Sequence, residues 1–195
     1  MRLWPVALAL FASVAAGDPV IYLSVQVQNV LTAIDVVPTQ SQLDTAFLPA
    51  DAATELVRIV KDDTSDVRVR LRAIHALTKY CTTTPCTDDD PAHTALVSTI
   101  AMYQGSASGS DLVLLRAAVE ALGPQRVGTD LGTLEPLLKH TNRDIRTAAV
   151  HALRDLCNTG AITALREQQS TEPTDQVRLA ISEALRILSQ PQPCQ

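Results

Sequence analysis

The sequence predicts an all-α chain, an α-solenoid of about four stacked helix–turn–helix repeats with an N-terminal helical cap. Three observations predict it. First, a nine-residue segment recurs four times without gaps: VRLRAIHAL (69–77), LLRAAVEAL (114–122), IRTAAVHAL (145–153) and VRLAISEAL (177–185). Second, positions one, five, six and nine of the segment fall on one face at helical spacing, so each copy is an amphipathic helix with a stripe to bury. Third, a weaker helical stretch and a polar turn precede each copy. The copies step by 45, 31 and 32 residues. One helix pair of this size cannot cover its own stripe, whereas a stack of pairs can.

The chain opens MRLWPVALALFASVAAG. Arg2 supplies a positive start, Pro5 to Val14 is apolar or small, and small residues lead to Asp18. This pattern predicts a signal peptide over residues 1–17, cleaved after Ala16 or Gly17, with an uncleaved anchor as the alternative. The apolar run is shorter than the about 20 residues a membrane span needs. Residues 18–48 are expected to cap the first repeat. Ile21, Leu23, Val25 and Val27 alternate like a strand, while Val27, Val30, Leu31 and Ile34 are spaced like a helix. A lone strand has no sheet to join here, which favours a helix over about 24–35. A short helical turn over 41–47 follows.

The repeat domain is placed at 49–189. Its weaker helices are AATELVRIVKD (52–62), HTALVSTIAMY (93–103), GTLEPLLKH (132–140) and GAITALREQQ (160–169). The turns DDTSD, GSASGSD, TNRD and TEPTD separate them from the strong helices. Asp66, Asp111, Asn142 and Thr174 each stand three residues ahead of a strong segment, where an N-cap is expected. Pro136 is expected in the first turn of its helix, where a missing N–H costs little. Residues 190–195, with two prolines, form a non-helical tail.

The 195 residues carry a formal net charge of −5, which removes the cationic face that nucleic-acid binding requires. Aromatics are 3% of the chain, too few for stacking platforms, and the single tryptophan, Trp4, lies in the expected signal segment. The four cysteines, Cys81, Cys86, Cys157 and Cys194, form an even set, as oxidising compartments favour. Their spacing is not that of a zinc site. Cys81 and Cys157 hold equivalent positions two repeats apart, roughly 20 Å from each other in a stack of helices, far beyond the about 7 Å that a bridge allows. The predicted pairs are therefore Cys81–Cys86, closing a local loop, and Cys157–Cys194, stapling the last helix.

His75, Glu120, His151 and Glu183 share the seventh position of the repeat, opposite the buried stripe. They are expected to face solvent on one surface as a polar row, with partner binding as the functional alternative. A shared metal is disfavoured, because adjacent helices lie about 8–10 Å apart and one ion needs ligands within about 2–2.5 Å. The run Asp88-Asp89-Asp90 ahead of Pro91 reads as helix capping, since an EF-hand loop needs spaced oxygens and a central glycine. His93 and His140 are solitary, near helix ends. Nucleophile elbows, HExxH, P-loops and dinucleotide glycine patterns do not occur. No catalytic, cofactor-binding or metal-binding residue is assigned.

The pattern [VIL]-R-x-x-A-[VI]-x-A-L after a polar turn resembles that of HEAT repeat proteins, in particular the short bacterial variety similar to the repeats of phycobilisome lyases. The resemblance covers about residues 50–189. It implies that Arg70, Arg146 and Arg178, each second in its segment, brace the turn and the neighbouring unit, their planar forks suiting carbonyls and carboxylates; anion binding is the alternative. Two departures stand out: Leu115 replaces this arginine in the second repeat, and the 45-residue step carries extra loop residues. The combined expectation is an exported, non-catalytic scaffold, in the periplasm or outside the cell, that binds another protein and uses no cofactor. A bilin-lyase-like enzyme and a structural cell-envelope component are the rivals. A fold reused so widely does not choose among them.

Overall fold

The computed structural model describes residues 24–33, 37–81, 86–106 and 109–190. The expected signal segment and the residues after 190 lie outside this set. Among the described residues all regular structure is helical.

The helices start where short polar side chains meet free backbone N–H groups. In α1 (Val25–Thr32) Ser24 Oγ accepts from Val27 N, and in α2 (Gln40–Phe47) Thr39 and Gln42 form a reciprocal capping box. Helix α1 stops at Thr32, short of the expected end. Helix α3 (Ala52–Lys61) is capped by Asp51 and carries Arg58 and Lys61 in its last turn, where cations suit the helix dipole. Asp66 caps α4 (Val67–Leu77). Asp90 caps α5 (Pro91–Tyr103), accepting from Ala92 N at 2.8 Å with Pro91 in the first turn. Asn142 caps α8 (Arg143–Leu156) through Asp144 N at 2.7 Å.

Three expectations about helix ends are corrected. Helix α6 (Gly109–Leu122) begins two residues before Asp111, which lies inside the first turn and favours it by charge. Thr174 stands at the cap of α10 (Asp175–Leu188), but its hydroxyl accepts from Arg146 instead of capping. The weak helix expected over 132–140 is one α-helical turn, α7 (Leu131–Leu134), passing into a 3-10 segment at Glu135–Lys139. Pro136 sits at that changeover, where the missing N–H disfavours continued α-helix. Helix α9 (Ala161–Thr171) completes the set.

The strong helices α4, α6, α8 and α10 pack side by side in one layer, and α1 extends this layer beyond α4. The first helices, α3, α5, the α7 unit and α9, line the other side, with α2 beside α3. Helices α1 and α2 thus add a helical hairpin at the N-terminal end. It is fastened by Tyr80, whose hydroxyl donates to Asp44 at 2.8 Å.

One continuous core runs between the layers. Positions one and five of the motif are buried in all four repeats: Val69, Leu114, Ile145 and Val177, then Ala73, Ala118, Ala149 and Ile181. Positions six and nine are buried in the first three repeats only, which corrects the expectation for the fourth. There Ser182 is exposed and accepts from Gln169, and Leu185 is half-buried. Helix α10 has the α8 neighbour on one side and, on the other, an open face that carries Ser182, Arg186 and the exposed Leu179. Its larger Ile181 fills the inner stripe where the other repeats hold alanine.

Between α6 and α8 the approach is set by Gly123. A Cβ there would stand 2.5 Å from the Ala152 carbonyl oxygen.

Candidate functional site

The layer of strong helices presents the seventh-position residues along one surface. His75 on α4 and Glu183 on α10 are exposed, while Glu120 on α6 and His151 on α8 are half-buried. The inner two are less open than expected because they form the walls of grooves between adjacent helices. A groove of about 420 Å³ between α4 and α6 is lined by Arg72, His75, Lys79 and Glu120, with Val37 at its edge. A second, of about 340 Å³, lies between α6 and α8 and is lined by Arg116, Glu120, Asp144, His151, Arg154 and Asp155. Glu120 belongs to both.

Most charges on this surface are tied within their own helices. Arg116 Nε donates to Glu120 at 2.7 Å and Arg154 Nε to Asp155 at 2.7 Å. Arg186 donates to both oxygens of Glu183 at 2.9 and 2.6 Å, holding that carboxyl below its usual range. Desolvation pushes His75 below its ordinary value; Glu120 opposes this and Arg72 adds to it. The surface therefore carries charges of both signs, mostly as pairs within one helix. No group of three or more His, Cys, Asp or Glu among the described residues is placed to hold a metal.

The arginine row turns away from this surface, toward the turns. Arg70 is buried and donates to the Val60 carbonyl at 3.2 and 3.0 Å and to the Tyr103 hydroxyl at 2.9 Å. It thereby joins the end of α3 to the end of α5 in the next repeat. Arg146 is also buried and donates to the Glu172 carboxylate at 2.9 and 2.7 Å and to the His140 and Thr141 carbonyls at 2.9 and 3.1 Å. Arg178 donates to the Glu172 carbonyl at 2.7 Å and pairs with Asp175. Leu115, which replaces the arginine in the second repeat, is fully buried.

Two groups escape a pattern-based reading. Glu172, in the TEPTD turn, links Arg146 and Arg178. An acid there, one repeat after an arginine fork, was the available signal. His93 is not an ordinary helix-end histidine, and that expectation is corrected. It is buried, with Nε2 2.9 Å from Asp130 Oδ1 and Nδ1 3.2 Å from the Asp88 carbonyl. Asp130 is raised above its ordinary value by burial, which outweighs the histidine. The pair ties α5 to the turn at Gly128–Asp130, between α6 and α7. His140 Nδ1 accepts from Asn142 N at 3.0 Å.

Cys81 and Cys86 are joined, with Cα atoms 5.6 Å apart. Cys86 N–H donates to the Gln125 carbonyl at 3.0 Å, which ties Cys86 to the segment after α6. The pairing expected for Cys157 involves Cys194, which lies outside the described residues.

Helix pair follows helix pair with motif positions one and five buried in every copy. Residues 102–186 match the family model for HEAT repeats. The matched stretch runs from the end of α5 through most of α10. It contains Glu120, His151 and Glu183 of the surface row and Arg146 and Arg178 of the arginine row. The first helix pair lies outside that stretch and joins the later pairs through the packing of α4 on α6 and α3 on α5. No curated protein matches the chain.

Proposed function

We propose that this protein is an exported, non-catalytic HEAT-repeat scaffold that binds another protein through the layer formed by α4, α6, α8 and α10. The observation that carries the reading is the placement of His75, Glu120, His151 and Glu183 along one surface, with Glu120 shared between two adjoining grooves. Repeated helix pairs build extended surfaces of this kind, and a repeating side-chain position gives a partner a regular series of contacts. Charges of both signs, mostly paired within one helix, favour a partner chosen by register over one drawn by bulk attraction.

Export is supported by the signal-like segment over residues 1–17 and is compatible with the Cys81–Cys86 bridge. No described helix is long and apolar enough to cross a membrane. The test is a variant in which His75, Glu120, His151 and Glu183 are all changed to alanine. It should keep its helicity and lose the partner that in-cell cross-linking attaches to the unaltered protein. Full retention of the adduct contradicts the choice of surface.

A further inference from the structure

We infer that the groove between α4 and α6 docks an extended segment of the partner protein that carries a large apolar side chain beside a carboxylate. The inference rests on the scaffold reading above and specifies its ligand at one place. The floor of the groove is apolar: Ala76 comes from α4, Ala121 from α6, and Val37, 71% exposed, stands at the edge. An exposed valine beside a cavity of about 420 Å³ leaves apolar surface for a side chain to cover.

The charge in this groove differs from that of its neighbour. In the second groove Arg116 and Arg154 are each held by an acid of the same helix, Glu120 and Asp155. Arg72 and Lys79 line the first groove, and no ion pair among the described residues engages either. The nearby acid, Glu120, is already committed to Arg116.

The carbonyls at the end of α4 do not need these cations either. The His75 carbonyl accepts from the Thr78 hydroxyl at 2.8 Å, and the Ala76 and Leu77 carbonyls accept from Lys79 N and Tyr80 N at 3.0 Å each. Two unpaired cations over an apolar floor select an acid-bearing apolar segment and reject a basic one, against the chain's overall charge of −5.

The test is NMR titration of the full chain, disulfides intact, with capped peptides GLDELG and GLKKLG as probes. The acidic peptide should give saturable shifts at the Ala76 and Ala121 amides and bind at least about tenfold more tightly than the basic one at low salt. The double variant R72E/K79E should lose these shifts with an unchanged melting temperature, and Arg166→Glu on α9 should retain them. Absence of saturable shifts at α4 and α6, equal binding of the basic peptide, or undiminished binding by R72E/K79E overturns the inference. Partner adducts from the seventh-position row with a silent groove discard the groove and keep the scaffold; silence of both discards both.

Discussion

The Glu172 carboxylate accepts from Arg146, from Gln168 at 2.7 Å and from Thr174 N at 3.1 Å, while its carbonyl accepts from Arg178. The hydrogen bonds from Arg146 outweigh desolvation and bring its pKa from 4.5 to about 2. Unfolding returns the group to its ordinary value, so the unfolded chain binds the proton more tightly. The stabilisation is complete above about pH 4.5 and is lost as the pH falls toward 2. It amounts to about 3 kcal/mol, and denaturant titrations at pH 6 and pH 2.5 should show it shrinking. Glu172→Gln should flatten that dependence. Glu172→Ala, which leaves Arg146 buried without a counter-charge, should destabilise by about 3–5 kcal/mol at neutral pH. Gly123→Ala should cost about 1–3 kcal/mol, because the Ala152 backbone would have to yield. The arginines were legible in the sequence because they recur at one motif position. Their acceptors were not, since Glu172 lies 26 residues from Arg146 and Asp130 lies 37 from His93, with no periodicity linking them.

Helices α3, α4, α5 and α8 begin where the sequence shows aspartate or asparagine ahead of an apolar period, so caps and periodicity together were enough to find them. The 3-10 segment at Glu135–Lys139 was less legible, because a proline fits a first helical turn and a changeover equally well by local rules. Leu153 and Leu185 are equivalent in the motif, yet Leu153 is fully buried between α6 and its own neighbours while Leu185 lies half-open at the last helix. Leu153→Ala should therefore cost about 2–5 kcal/mol in thermal or denaturant melts, and Leu185→Ala distinctly less. Equal losses would place another packing layer against α10. The sequence carried a clue in Ser182, which occupies a position that the other repeats fill with isoleucine or valine.

The stack as a whole was legible because four copies of one motif in one register demand the same neighbours four times. Which surface of the stack works was not, since a solvated polar row and a binding row have the same sequence. Only the structure sets Glu120 between two grooves. The proposed export predicts a mature start at Gly17 or Asp18 by mass spectrometry, and the proposed pairing predicts non-reducing peptide maps with Cys81–Cys86 and Cys157–Cys194. A Cys81–Cys157 peptide would contradict the stacking order.

In the proposed function the layer of α4, α6, α8 and α10 is the partner-binding surface, and a photoreactive residue placed at single positions probes it. Placed at 75, 120, 151 or 183 it should give the same partner adduct in the native compartment, and placed at 166 or 167 on α9 it should give none. Adducts from α9 alone, or from no position on the α4 to α10 layer, would contradict the claim.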